Sequence, residues 1–190
     1  TNPFLSAGSG LEVGFDVHEF VGGPGRDVDT AGWVVDQTFR WGRALAAERE
    51  RGNRNPYFLY LHFMEPHLDY RPPREFWSEE ALAYDGPLDG SSRKLHRKIR
   101  SGTPFSAQDL AFLHAVYRGE VASLDSELRR LEAGLRELGL WNEETIFVLT
   151  ADHGEQIGEH GEFEHGHVHV ENVHVPLLIG APGAPPHAVQ

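Results

Sequence analysis

The sequence has no cysteine among its 190 residues. That excludes disulfides, thiolate zinc sites and a cysteine nucleophile from this chain. It has no apolar run near the roughly 20 residues that a membrane-spanning helix needs. It does not begin with a basic segment followed by an apolar one, the pattern of a signal peptide. Positive charge is also scarce: Lys plus Arg number 17 against 29 Asp plus Glu, a net charge of −12. A phosphate-backbone binder needs the opposite sign, so nucleic acid is excluded as the expected partner.

What is present points to a globular protein: 39% of residues are hydrophobic and 11% aromatic. The length predicts one domain, or one and a fraction. The first residue is Thr1, so the chain reads as processed or as a piece of a longer one. There are 12 histidines. Protonating all of them would cancel the −12, and an ordinary imidazole titrates near pH 6.5. The histidines therefore serve either as plain surface residues or as a metal or anion site, and position decides between the two.

Residues 1–28 read as Gly-rich and irregular, with Gly22-Gly23-Pro24-Gly25 as a loop. A helix is predicted from Asp29 or Thr30, either of which can cap it. Its apolar residues are Val34, Val35, Phe39, Ala44 and Leu45, and Gly52 ends it. Tyr57 to Phe63 is a short apolar run after Pro56 and reads as a strand buried on both faces. Residues 72–105, rich in Pro, Gly and Ser, read as an exposed surface insertion. It carries a basic patch, Arg93-Lys94-Leu95-His96-Arg97-Lys98, which reads as solvated or as a dock for an anion. Ser106 and Asp109 form a capping-box pattern before a long helix. Leucines and valines at alternating three and four spacing, from Leu110 to Leu138, give that helix one buried stripe. Further buried strands are predicted at 146–150 and 175–179. Strands alternating with helices predict an α/β fold with a mainly parallel sheet flanked by helices.

In open parallel sheets, ligands sit beyond the carboxyl ends of the strands. Two predicted strands end in polar clusters. The first gives His62, Glu65 and His67. The second gives Asp152-His153-Gly154-Glu155, then His160, His165, His167 and His169. Asp152 and His153 offer an oxygen and a nitrogen to a divalent cation, with a cap on the next helix as the lesser alternative for Asp152. Gly154 is expected to permit a sharp turn. Prolines on both sides of His67 stiffen its loop.

Four segments carry a family resemblance: Asn2 to Asp16; YFLYLHFMEPHLDYRPP from Tyr57 to Pro73; Leu124-Asp125 through Leu140; and Asp152-His153-Gly154-Glu155 followed by Gly158-Glu159-His160-Gly161 and His174-Val175-Pro176-Leu177-Leu178. In this order they resemble the sulfatase family, within the alkaline-phosphatase-like superfamily. The resemblance implies hydrolysis of a sulfate monoester, from a small molecule or a saccharide. It implies that Asp152 and His153 bind one divalent metal, calcium ahead of manganese or zinc. It gives His67 the role of contacting the sulfate oxygens. It gives His165 the roles of binding sulfate and protonating the leaving alcohol, with His167 as the alternative.

The family's nucleophile is a formylglycine made within a Cys/Ser-x-Pro-x-Arg motif. Only Tyr70-Arg71-Pro72-Pro73-Arg74 has Pro and Arg at those offsets, and Tyr70 cannot be converted. The first-strand aspartate pair is missing too. The expectation is that residues 1–190 are the middle and C-terminal part of a sulfatase catalytic domain, truncated on its N-terminal side and inactive alone. Formylglycine would lie in the missing part. A phosphodiesterase or phosphonate hydrolase of the same superfamily is the nearest rival. A non-catalytic module that binds a metal or an anion is the rival from another class. Oligomeric state and compartment are left open.

Overall fold

The structure is a computed structural model that describes residues 8, 10–21 and 30–184. The loop at Gly22–Gly25, the Asp29 cap and residues 2–7 and 9 of the first resembling segment lie outside the described residues. The chain divides into two units, residues 1–131 and 132–190.

In the first unit, α1 spans Ala31–Glu50 and buries Val34, Val35, Thr38 and Gly42. Thr30 is its N-cap residue but makes no capping bond with its own side chain. The cap comes from a distance. The buried Glu65 carboxylate accepts from the Thr30 and Ala31 backbone N–H groups and from the Thr30 hydroxyl. A carboxylate suits the positive end of a helix, where orphan N–H donors converge. At the other end, Gly52 takes φ +98° and its N–H donates to the Arg49 carbonyl.

The segment 57–63 has no ladder partner among the described residues, so the predicted strand is not formed there. Phe58 is 73% exposed and Tyr60 61%. The apolar run does alternate in exposure as a strand would, but a buried strand needs neighbours on both edges, and none pairs with it.

Segment 72–105 is not a solvated loop. A 3-10 turn, Arg74–Phe76, is followed by α2, Glu79–Ala83, and α3, Ser92–Ser101. Ala81, Leu88 and Leu95 from this segment are buried. Ser78 and Ser91 cap the two helices through their hydroxyls, and Gly102 closes α3 in the left-handed conformation. Tyr70 is 1% exposed, and its N–H donates to the Gly90 carbonyl. A Cβ on Gly90 would lie 2.0 Å from the Tyr70 carbonyl oxygen, so only glycine fits there.

The long helix α4 spans Ala107–Glu137. Its predicted capping box is present: Ser106 N–H donates to Asp109, and Asp109 N–H donates to the Ser106 hydroxyl. The buried stripe holds at Leu113, Val116, Leu131 and Leu135, whereas Val121 is exposed. Polar residues of α4 are buried as well: Asp109, Ser123, and Glu120, which accepts from the Arg71 N–H at 2.6 Å.

Asp109 also joins a buried polar network. Tyr84 donates its hydroxyl to Asp109 at 2.5 Å, and the Lys98 ammonium lies 3.3 Å away. Burial works to raise the Asp109 carboxyl, but the bonds from Tyr84, Ser106 and Lys98 outweigh it and hold it at about 2. Burial and the bond to Asp109 push the Tyr84 phenol up to about 12. Asp109 therefore stabilises the fold fully above its ordinary 3.8, and this contribution disappears as pH falls toward 2. Tyr84 contributes fully below its ordinary 10.0 and ceases to as pH rises toward 12. Asp109→Asn should lower stability by about 3–5 kcal/mol, because it strands a largely buried Lys98. Denaturant unfolding at pH 7 measures this, and the acid limb of the pH–stability curve should flatten in the variant.

In the second unit, Gly139 takes φ +67° after α4 and the Leu140 N–H returns to the Leu135 carbonyl. The strand β1, Phe147–Thr150, pairs with β4, Leu177–Gly180, with Val148 opposite Ile179. This ladder is antiparallel. A second antiparallel pair joins β2, Gln156–Ile157, to β3, Phe163–Glu164. The expected parallel sheet is therefore not seen among the described residues. A parallel return needs a crossover, usually a helix of several turns. Between β1 and β4 the chain supplies only a small hairpin and the four-residue α5, Val170–Val173. Among the described residues, no helix is long and apolar enough to cross a membrane.

Candidate functional site

In the second unit, the predicted metal pair sits just past β1. Asp152 has a 68% exposed side chain, and its Oδ1 accepts from the His153 backbone N–H. The His153 Nδ1 lies 2.8 Å from the Gly154 carbonyl oxygen. A carbonyl can only accept, so Nδ1 bears the proton and Nε2 bears the lone pair. That Nε2 is 3.9 Å from Asp152 Oδ1. An anionic oxygen and an imidazole lone pair at this separation fit a divalent cation with mixed oxygen and nitrogen ligands.

Gly154 is needed here for a reason other than the expected sharp turn. A Cβ at this position would lie 2.0 Å from the Glu171 carbonyl oxygen of α5, and the Gly154 N–H donates to the Asn172 carbonyl. Asn172 then ties the rest of the loop together. Its side-chain amide donates to Gln156 Oε1 and to the His167 carbonyl, and both Asn172 and Gln156 are buried.

The histidine loop divides by partner. His165 stacks on His153 with ring centroids 3.9 Å apart, and its Nδ1 lies 3.1 Å from Glu155 Oε1. The Glu155 side chain is only 2% exposed, and its Oε2 is buried without a hydrogen-bond partner. His167 instead lies 3.3 Å from the Glu162 carboxylate. His160, at φ +58°, stacks on His169 and lies 3.3 Å from Glu171. The structure thus brings His165, rather than His167, against His153.

Nothing in the sequence around Glu155 marks it as a functional residue. A carboxylate orienting an imidazole through Nδ1 leaves Nε2 as the atom that exchanges protons, the arrangement that base–orienter pairs use. The signal lay in the spacing: Glu155 and His165 flank the β2–β3 hairpin, so pairing of those strands brings positions 155 and 165 face to face.

His67 belongs to the first unit and is described there by itself. Its Nδ1 lies 2.6 Å from the Leu68 carbonyl oxygen, which again puts a proton on Nδ1. The loop is held on both sides of His67. Glu65 is fixed at the start of α1, and the Asp69 carboxylate accepts from the Ser92 N–H at 2.8 Å.

The family model described as Sulfatase matches residues 37–190. An arylsulfatase of Clostridium perfringens is 26% identical over 91% of this chain and 37% of its own length. Human iduronate 2-sulfatase is 28% identical over 72% of this chain and 28% of its own. Among solved structures, a phosphonate monoester hydrolase of Agrobacterium radiobacter superposes with a TM-score of 0.58 at 22% identity. It covers 81% of this chain and 33% of that one, and the likeness shows a shared fold. The chain thus spans about a third of the length of these proteins. A family model running from the middle of α1 to the last residue, over both histidine-bearing loops, settles the assignment: the chain belongs to the sulfatase family.

Proposed function

We propose that this chain is part of a hydrolase of sulfate monoesters and supplies its metal-binding corner and two substrate histidines. The observation that carries this reading is the Asp152–His153 corner, with the His153 Nε2 lone pair 3.9 Å from an exposed carboxylate and His165 stacked alongside. Asp152 and His153 would hold one divalent metal, with calcium ahead of manganese or zinc. A metal there would polarise the sulfuryl oxygens and lower the pKa of the attacking group.

The chain's own residues do the rest of what is assigned here. His67, with Nδ1 held by the Leu68 carbonyl, directs Nε2 to the ester's sulfate oxygens and stabilises charge that spreads onto them. His165, oriented by Glu155, hands a proton from Nε2 to the departing alcohol oxygen as the S–O bond breaks. Its placement against His153 supports this role for His165 over His167. No residue of this chain is assigned as the nucleophile, since it has neither cysteine nor a Ser-x-Pro-x-Arg motif.

The protein expressed from its whole gene should hydrolyse 4-nitrophenyl sulfate, and faster than 4-nitrophenyl phenylphosphonate. The 190-residue chain alone should hydrolyse neither. Faster turnover of the phosphonate would replace this reading with the superfamily rival, and turnover by the isolated chain would refute the missing-nucleophile reading.

A further inference from the structure

The helix α3, SRKLHRKIRS, carries five Lys and Arg residues and no acid, inside a chain of net charge −12. The two lysines are neutralised. Lys94 lies 3.3 Å from Asp89, and Lys98 lies 3.3 Å from the buried Asp109. The three arginines are not. Arg93, Arg97 and Arg100 are exposed and have no acidic partner among the described residues. At 100° per residue they fall within roughly 60° of the helix circumference, at axial steps of about 6 and 4.5 Å. Leu95 anchors the opposite side in the core at 1% exposure.

A protein with 29 acidic residues had ample means to pair these arginines. Exposed unpaired guanidinium groups in a row favour a partner with repeated oxyanions, because each fork can take two oxygens of one sulfate. The row is also tied to the His67 loop. The Ser92 N–H, next to Arg93, donates to Asp69, and Gly90 holds Tyr70. The helix therefore starts where the loop bearing His67 ends.

We propose that the Arg93–Arg97–Arg100 face of α3 is a docking surface for a polymer carrying repeated sulfate groups, holding it beside the His67 loop. This rests on the sulfate-ester reading above and adds that the substrate is a polyanion gripped away from the bond that breaks. Neighbouring sulfates along the polymer would occupy the three guanidinium groups, while one reaches His67.

Binding needs no turnover, so the chain itself serves for the test, with immobilised dextran sulfate as the probe. The wild-type chain should bind despite its −12 charge. The triple variant Arg93→Gln, Arg97→Gln, Arg100→Gln should bind about tenfold more weakly. Its slope of log affinity against log salt should fall by about three. The three single variants should each give part of the loss and carry the test if the triple variant does not fold. The control is Arg129→Gln with Arg136→Gln, two arginines that already pair with Asp125 and Glu132, and it should bind as wild type.

Unchanged binding by the α3 variants would overturn the proposal. So would tighter binding to phosphatidylserine vesicles or to duplex DNA than to dextran sulfate, because the surface would then serve a membrane or a nucleic acid. In the protein from the whole gene, the triple variant should keep its turnover of 4-nitrophenyl sulfate. Loss of that activity in the wild type fails the functional reading, whereas loss of polymer binding alone fails only the docking surface.

Discussion

Replacing His165 by alanine should lower kcat for an alkyl sulfate by roughly 10²–10⁴-fold in the protein expressed from its whole gene, while 4-nitrophenyl sulfate is far less affected. The difference follows from the role assigned to Nε2. An alkoxide is a poor leaving group and needs a proton as the S–O bond breaks, whereas nitrophenolate leaves without one. The ring is placed for this by the buried Glu155 carboxylate at its Nδ1 and by the His153 face beneath it. Glu155→Gln should shift the two substrates in the same direction by a smaller factor, since an amide can still hold the ring but carries no charge. Equal losses on both esters would mean that His165 binds the sulfate and donates no proton. Steady-state kinetics on the pair of substrates decides between these.

The second large effect concerns the metal. Asp152→Ala should weaken binding of a divalent cation by more than about 100-fold, because residues that merely orient ligands are already worth about 10–100-fold. His153→Ala should do the same. The readout is metal affinity by competition with a chelator, so the result does not depend on turnover. Among the described residues Asp152 makes one hydrogen bond, from the His153 N–H, and it is largely exposed, so alanine there should leave the fold intact. A melting temperature that is unchanged without metal but no longer rises when metal is added would confirm both points. Unaltered affinity in Asp152→Ala would remove the pair from the metal site.

Most of the local grammar could be read in the chain. The Ser106–Asp109 box, the Gly52 and Gly139 stops and the core of the α4 stripe follow from spacing alone, because each depends on residues three or four apart. The long-range arrangements could not be read. Nothing near Thr30 announces that Glu65 caps α1 from 35 residues away. The α3 segment has too few apolar residues to show a stripe, yet Leu95 alone suffices to anchor it. The parallel sheet was inferred from alternation of strands and helices, and alternation does not fix direction. The ladder register of β1 on β4 does.

The site was legible in its residue types and less so in its pairings. Asp152, His153 and His67 stood out because polar clusters followed apolar runs, whereas only the family resemblance singled out His165 among its neighbours. Glu155 did not, because a carboxylate next to the Asp152–His153 pair looks like one more exposed acid until its 2% exposure is seen. Gly154 was expected for the wrong reason. Its hydrogen atom makes room for another backbone rather than for a turn of its own.

The Glu65 cap has a further consequence. His67 is flanked two residues away on each side by an acid, Glu65 and Asp69, an unfavourable setting for the anion contact proposed for it. Both carboxylates are turned to backbone N–H groups at the first turns of helices, Glu65 at α1 and Asp69 at α3. Their charge is directed at helix ends instead of at the solution through which the proposed ester would arrive. A strongly acidic protein can in this way keep the surroundings of one imidazole from repelling an anion.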